Sequence, residues 1–264
     1  MMKRYALLLV MIGLLLSAIS LMAQEATPEA TPEPDLAATA EATMEIPQNI
    51  SELFASLPQT RQPDGGFVVG QPDAPITVIE FIDYACPHCQ DYRPVIDQVL
   101  MQYLAAGEMK YELRLFPTAG GQTSYFVDQF AECAEKQRKG TFWQAYDLLY
   151  GYATSGQYDL HVGEQMAKFF KLDYDKMVAC VDGAKQVGTD VQLGIQLGVT
   201  GTPAVMVRLG DEEPQFITAG GRTYDAGGVP LDVLTQLLNA ANGIEMTPEP
   251  DGQSVLNFGT ISGF

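Results

Sequence analysis

The chain has 264 residues, with 33 acidic and 15 basic side chains, and its formal net charge is −18. Such a charge repels phosphate backbones, which excludes nucleic acid as an expected partner. The length suits one large domain.

The N-terminus has the pattern of an export signal. Lys3 and Arg4 precede an apolar run over residues 5–22, and Ala23 follows it. The run is long for a cleaved signal and short for a membrane span, so residues 1–23 are either a signal peptide or an anchor. In both cases we expect the remainder to lie outside the cytoplasm, in the periplasm, at the cell surface or secreted.

Residues 24–64 are predicted to be a flexible acidic linker. They are rich in Ala, Thr, Pro and Glu, and this composition offers too little apolar surface to offset the entropy lost on ordering. If the signal is retained, residues 5–22 would tether the domain to a membrane through this linker. A second tail is expected over residues 244–264, with no role assigned to it.

Between the tails, apolar periodicity predicts an α/β domain over residues 65–243. The helical stretch in its middle is broken at Gly140, Gly156 and Gly183. The expected elements are an edge strand at 67–69, a buried strand at 76–82, a helix at 86–104, a strand at 111–116, helices at 124–136, 141–152, 162–171 and 173–197, a hairpin of 204–209 with 215–219, and a helix at 231–241. This order matches a thioredoxin-like fold with a helical insertion at about 122–197.

Cys86-Pro87-His88-Cys89 follows the buried strand and opens the first helix, which indicates a redox site. The free N–H groups and the dipole at a helix start stabilise a thiolate on Cys86. His88 can add positive charge, while Pro87 lacks an N–H where the helix does not need one. These features favour the reduced form and predict an oxidising disulfide. An inert structural bridge is the alternative.

Two signatures in the right order resemble those of the DsbA-like thiol:disulfide oxidoreductases. Residues 78–89 read VIEFIDYACPHC, with the Pro-His dipeptide associated with DsbA, and residues 198–203 read GVTGTP, where this family places a cis-proline facing the disulfide. The resemblance covers about residues 65–243. It implies a thioredoxin fold and disulfide exchange as the activity.

The resemblance also implies roles for single residues. Cys86 would be the exposed attacking thiol, and Cys89, which is less exposed, would resolve the mixed disulfide. A cis Pro203 would leave the exposed N–H and C=O of Thr202 free to pair with an extended substrate segment. Thr202 differs from the valine of DsbA itself, and His88 could alternatively be an ordinary surface residue.

Glu80 is the only acid in the buried strand, at the position where the resemblance places a buried carboxyl beneath the disulfide. Such a carboxyl has a raised pKa and could exchange a proton with Cys89. The alternative is a hydrated strand position. Asp83 and Tyr84 are interpreted as loop and rim residues.

Cys133 and Cys180 lie in the helical stretch, and an even number of cysteines in an exported protein favours a structural bridge between them. Buried thiols or a second redox pair remain alternatives. With His88 and His161 as its only histidines, the chain is not expected to bind zinc, and no metal or organic cofactor is implied.

These features predict an extracytoplasmic thiol oxidase that donates the Cys86–Cys89 disulfide to reduced, incompletely folded secreted proteins. By resemblance, its reoxidant would be a membrane protein of the DsbB or vitamin-K-epoxide-reductase-like type. A reductase or isomerase of the same fold is the first alternative, although residues 24–64 are too short and polar for the dimerisation domain of an isomerase. A non-catalytic peptide-binding module is the second.

Overall fold

A computed structural model of the chain describes residues 49–243. The expected signal or anchor at 1–23, the linker up to residue 48 and the tail at 244–264 lie outside the described residues. Within the described range, none of the helices is long and apolar enough to cross a membrane.

Seven strands form one mixed sheet. They are β1 (Gln59–Arg61), β2 (Phe67–Gly70), β3 (Ile76–Ile82), β4 (Lys110–Leu115), β5 (Ala204–Leu209), β6 (Gln215–Ala219) and β7 (Arg222–Tyr224). Their order across the sheet is β1-β2-β4-β3-β5-β6-β7. β3 and β4 are parallel, and the other neighbouring strands are antiparallel.

Five helices lie between β4 and β5 and form the inserted segment. The helices of the described chain are α1 (Ile50–Ser56), α2 (Pro87–Val99), which continues as a π-helical turn at Leu100–Leu104, α3 (Gly121–Gln137), α4 (Thr141–Thr154), α5 (Val162–Phe170), α6 (Tyr174–Val181), α7 (Gln186–Leu197) and α8 (Leu231–Ala241). The predicted fold class, a thioredoxin-like α/β fold with a helical insertion, is confirmed.

Strand β3 is buried along its whole length, because helices cover both faces of the sheet. Val78 and Ile82 join the main core, while Ile79 and Phe81 join a second cluster against which Leu193 of α7 packs. This alternation follows from the two-residue period of a strand. It gives neighbouring residues of β3 different surroundings.

The predicted linker over 24–64 extended too far, because residues 50–61 belong to the folded domain. The Asn49 side chain accepts a 2.9 Å hydrogen bond from the N–H of Glu52 and caps α1. Ile50, Leu53 and Phe54 are buried at helical spacing. Strand β1 then pairs with β2, so the strand predicted at 67–69 is not at the edge of the sheet.

A disulfide between Cys133 and Cys180 joins α3 to α6, with 5.9 Å between the two Cα atoms. This is the pairing expected from the even number of cysteines. The bonded state excludes the alternative of free buried thiols, whereas a second redox pair would also be bonded in its oxidised form. The bridge therefore fastens two helices of the insertion to each other.

A buried ion-pair cluster attaches the last inserted helix to the sheet. Arg114 of β4 contacts Glu112 on the same strand at 2.6 Å and Asp190 of α7 at 2.8 Å, and all three side chains are almost fully buried. Asp190 also accepts a 3.1 Å hydrogen bond from the N–H of Leu115. The end of β4 is thus held in place where the chain turns toward the functional loops.

Candidate functional site: a cysteine pair facing a cis-proline

The topology brings three loops together along one edge of the sheet, meaning here the side at which β3 and β4 end and β5 begins. Parallel strands end at the same edge, so the segments after β3 (83–86) and after β4 (116–120) are neighbours. Strand β5 runs antiparallel to β3, and therefore the segment before it (198–203) begins at that edge as well. The two predicted signatures meet there, although more than 100 residues separate them in the sequence.

Cys86 is the N-terminal cap of α2, and both Cys86 and Cys89 are present as thiols. The expectation of an exposed Cys86 is wrong, since this residue is only 5% exposed, against 0% for Cys89. The carbonyl oxygen of Thr202 accepts a 3.4 Å hydrogen bond from the Cys86 thiol. Cys86 is still the more accessible sulfur of the pair.

Pro87 and His88 are exposed at the start of α2. The His88 ring makes no hydrogen bond to any of residues 49–243. The proline occupies a first-turn position, where a missing N–H costs no helical hydrogen bond. Within the same range, no three His, Cys, Asp or Glu side chains are grouped as a metal site would require.

The Thr202–Pro203 peptide bond is cis. The Pro203 carbonyl accepts hydrogen bonds from the N–H groups of Gly227 at 2.9 Å and Gly228 at 3.2 Å, so the segment before α8 holds this turn. Thr202 was expected to be exposed, but it is buried, and its carbonyl already accepts the Cys86 thiol. A substrate that pairs with this carbonyl must share the oxygen with the Cys86 thiol or displace that contact.

Glu80 is buried in β3 with 1% exposure, which excludes the hydrated alternative. The Tyr111 hydroxyl donates a hydrogen bond to one carboxyl oxygen, and the other oxygen has no partner among the described residues. Burial disfavours the charged form and raises the pKa of Glu80 to about 8, although the bond from Tyr111 opposes the rise. Glu80 is therefore largely protonated at neutral pH.

Burial also raises the pKa of the Cys89 thiol far above its ordinary value. The backbone of Asp83 and the side chain of Thr202 partly oppose this effect, whereas nearby Cys86 and Glu80 add to it. Reduced Cys89 thus holds its proton firmly at neutral pH. The two sulfurs of the pair differ in both exposure and surroundings.

The interpretation of Asp83 and Tyr84 as rim residues is wrong, because each is 1% exposed. Asp83 accepts hydrogen bonds from the N–H groups of Ala85 (2.9 Å), Thr118 (2.8 Å) and Gly120 (2.9 Å), and from the Ser124 hydroxyl (2.5 Å). Its bond to Ala85 is the local turn that an aspartate at a strand end favours. That turn is the one signal in the sequence that could have identified Asp83.

Residues 62–212 match a family model described as Thioredoxin. The chain belongs to the thioredoxin family. Among solved structures, α-DsbA1 of Wolbachia pipientis is 25% identical and superposes with a TM-score of 0.55, over 74% of this chain and 96% of that chain. The helical insertion therefore belongs to a known variant of the thioredoxin fold.

Two curated relatives extend this comparison. The probable disulfide bond formation protein D of Bacillus cereus is 27% identical over 157 residues, which are 56% of this chain and 72% of that protein. Na(+)/H(+) antiporter NhaA 3 of Salinispora tropica is 29% identical over 163 residues, and the match covers 60% of this chain but 24% of that protein. The predicted resemblance to DsbA-like thiol:disulfide oxidoreductases is confirmed.

Proposed function

We propose that this thioredoxin family member is an extracytoplasmic thiol oxidase that donates a Cys86–Cys89 disulfide to reduced, incompletely folded secreted proteins. One observation carries the proposal: Cys86 caps α2 and lies 3.4 Å from the carbonyl of Thr202, the residue before cis Pro203. A reactive sulfur is thereby placed beside backbone that an extended peptide can pair with.

The reaction begins when a substrate thiolate attacks Sγ of Cys86 in the oxidised pair, because Cys89 is sealed from solvent. The Cys86–Cys89 bond breaks, a substrate–Cys86 bond forms, and the electron pair leaves on Cys89. A second substrate thiolate then attacks the substrate sulfur of this mixed disulfide. The products are an oxidised substrate and the dithiol form of the pair.

Glu80 supplies the proton that Cys89 needs as a leaving group. Its carboxyl, with a pKa of about 8, is protonated at neutral pH, and its ionisation would raise the pKa of Cys89 further. The raised pKa of Cys89 makes its thiolate a strong base, so proton transfer from Glu80 favours departure of this sulfur. His88, exposed at the start of α2, would add positive charge beside Cys86 when protonated.

The cellular setting is part of the proposal. Residues 1–23 would export the chain or anchor it through residues 5–22, and a membrane reoxidant of the DsbB or vitamin-K-epoxide-reductase-like type would restore the disulfide. The relative from Bacillus cereus, named as a probable disulfide bond formation protein, supports a role in forming such bonds. No organic or metal cofactor is proposed.

The test is oxidative refolding of a reduced secreted protein by the oxidised full chain. Wild type should restore the client's activity, Cys86→Ser should abolish the transfer, and Cys89→Ser, which cannot form the Cys86–Cys89 disulfide, should fail to oxidise the client as well. Cys133→Ser/Cys180→Ser serves as the matched control, because it removes two cysteines remote from the site and should still transfer. Unchanged transfer by Cys86→Ser would overturn the proposal in favour of a peptide-binding module.

Equilibration of the Cys86–Cys89 pair with glutathione separates an oxidase from a reductase. A midpoint close to that of DsbA, about −120 mV, supports donation of disulfides, whereas one close to that of thioredoxin, about −270 mV, would show a reductant. The measurement follows the fraction of free thiol at these two cysteines by mass spectrometry.

A further inference from the structure

The hydroxyl of Thr118 connects two of the loops at the site. Its Oγ1 lies 2.7 Å from Oγ1 of Thr202, and its N–H donates a 2.8 Å hydrogen bond to Asp83 Oδ2. The same carboxyl oxygen lies 3.4 Å from Thr118 Oγ1. Thr118 thus lies between the Asp83 carboxylate and the residue whose carbonyl accepts the Cys86 thiol.

Asp83 is a rigid support for Thr118. Its carboxylate is buried and also accepts hydrogen bonds from Ala85, Gly120 and Ser124. Hydrogen bonds to a charged acceptor are the stronger kind, so this arrangement restrains the 116–120 segment. The position of the Thr118 hydroxyl is therefore set by Asp83.

We propose that Thr118 is a positioning residue, which holds Thr202 against the cysteine pair and thereby shifts the equilibrium between disulfide and dithiol toward the dithiol. This inference rests on the proposed redox role of Cys86 and Cys89. It assigns to the 116–120 segment a part in setting how strongly the pair oxidises its substrates.

The direction follows from the contact between Cys86 and Thr202. The Cys86 thiol donates its hydrogen to the Thr202 carbonyl at 3.4 Å, and only the reduced sulfur in its protonated form carries such a hydrogen. In the disulfide, the same carbonyl would face a sulfur that has nothing to donate. A fixed Thr202 therefore stabilises the reduced pair relative to the oxidised pair, and this makes the disulfide a stronger oxidant.

The experiment compares Thr118→Val, which removes the hydroxyl at nearly constant volume, with Thr118→Ser, which retains it. Each full-length variant is equilibrated with glutathione at pH 7, and the dithiol fraction of Cys86 and Cys89 is measured. Thr118→Val should shift the equilibrium toward the disulfide by roughly three- to tenfold, the effect of about one hydrogen bond. Thr118→Ser should stay within roughly twofold of wild type.

A double-mutant cycle separates this role from a general loosening of the structure. In a Thr202→Val background the hydroxyl partner of Thr118 is absent, so Thr118→Val should then shift the equilibrium by less than roughly twofold. Full additivity of the two substitutions would overturn the inference. Equal shifts in Thr118→Val and Thr118→Ser would overturn it too, as would an unshifted Thr118→Val.

The glutathione equilibration of wild type distinguishes failure of the inference about Thr118 from failure of the proposed function. If the wild-type pair forms no disulfide with glutathione, the redox role of the cysteines is wrong and the inference falls with it. If wild type titrates normally and Thr118→Val coincides with it, only the inference is wrong. Thermal unfolding of each oxidised variant verifies that the compared proteins are folded.

Discussion

The Tyr111 hydroxyl donates a hydrogen bond to Glu80 inside the core, where the second carboxyl oxygen of Glu80 has no partner among the described residues. The two residues lie on the adjacent parallel strands β4 and β3. One hydrogen bond is too little to hold a buried carboxylate ionised, so the neutral acid is favoured at pH 7. The core thereby holds a protonated carboxyl whose ionisation would raise the pKa of Cys89.

Glu80 should make the domain less stable as the pH rises. The pKa of Glu80 is about 8 in the folded chain against an ordinary 4.5, so between these values the unfolded chain releases this proton first. The free energy of unfolding therefore falls over that window, by at most about 5 kcal/mol from this group. In Glu80→Gln this part of the fall should be absent. The free energy of unfolding is measured with denaturant between pH 4 and pH 9, with all proteins in a Cys86→Ala/Cys89→Ala background.

Tyr111→Phe is the matched control for this experiment. The hydrogen bond from Tyr111 lowers the pKa of Glu80, so its loss should move the fall in stability to higher pH. If the free energy of unfolding depends on pH in the same way in Glu80→Gln and in wild type, Glu80 does not titrate in this range.

The two thiols of the reduced pair should differ in their reaction with iodoacetamide. Cys86 keeps a small exposed area, whereas Cys89 is fully covered and holds its proton more firmly than an ordinary thiol. We expect Cys86 to be modified at pH 7 at least about tenfold faster than Cys89, because the thiolate is the reacting form. Peptide mass spectrometry after short exposures gives both rates. Faster labelling of Cys89 would reverse the assigned roles of the two sulfurs.

The sequence was sufficient for the parts of the site that lie within short segments. The Cys86–Cys89 motif follows an apolar strand directly, and the segment ending in Pro203 opens another, so both could be placed from local patterns. Gly140 and Gly183 separate helices at the positions predicted. Local patterns therefore predicted the order of the elements from β2 to α8, apart from β7, and located the cysteine pair.

The parts of the site that the sequence did not predict depend on contacts between distant segments of the chain. Thr118 meets Asp83 across 35 residues and Thr202 across 84, and no local pattern reports such a meeting. Strand β4 was predicted from its alternation, but α7 covers its second face, where Arg114 and Glu112 are buried as an ion pair. The alternation of polar and apolar residues in β4 distinguished the two faces of the strand, but it did not reveal that α7 covers the polar face.

Removing the structural disulfide should destabilise the insertion without disabling the redox pair. Cys133 and Cys180 are 47 residues apart, and a loop of this length corresponds to about 4 kcal/mol of chain entropy in the unfolded state. Cys133→Ala/Cys180→Ala should lose up to this much free energy of unfolding, measured with guanidinium chloride. The glutathione equilibrium of Cys86 and Cys89 should stay near wild type, and a large change in it would show that the bridge also acts on the site.

The segment before α8 should be sensitive to substitution at Gly228 and much less so at Gly227. Both glycines have positive φ, 82° and 78°, and both donate to the Pro203 carbonyl. A Cβ on Gly228 would lie 2.5 Å from the Tyr92 ring, whereas one on Gly227 meets nothing within 4 Å. Tyr92 cannot easily move away, since it is buried and its hydroxyl donates a 2.9 Å hydrogen bond to Val229.

Gly227→Ala should therefore cost only the strain of a left-handed residue, about 1–2 kcal/mol of unfolding free energy. Gly228→Ala should cost a further 1–3 kcal/mol, about the usual penalty for overpacking, and should also displace the Pro203 turn. Denaturant unfolding gives the first comparison, and the rate of disulfide transfer to a reduced client gives the second. Equal losses in the two variants would show that Tyr92 yields to the added carbon, and that its contact with Gly228 does not hold the cis-proline turn in place.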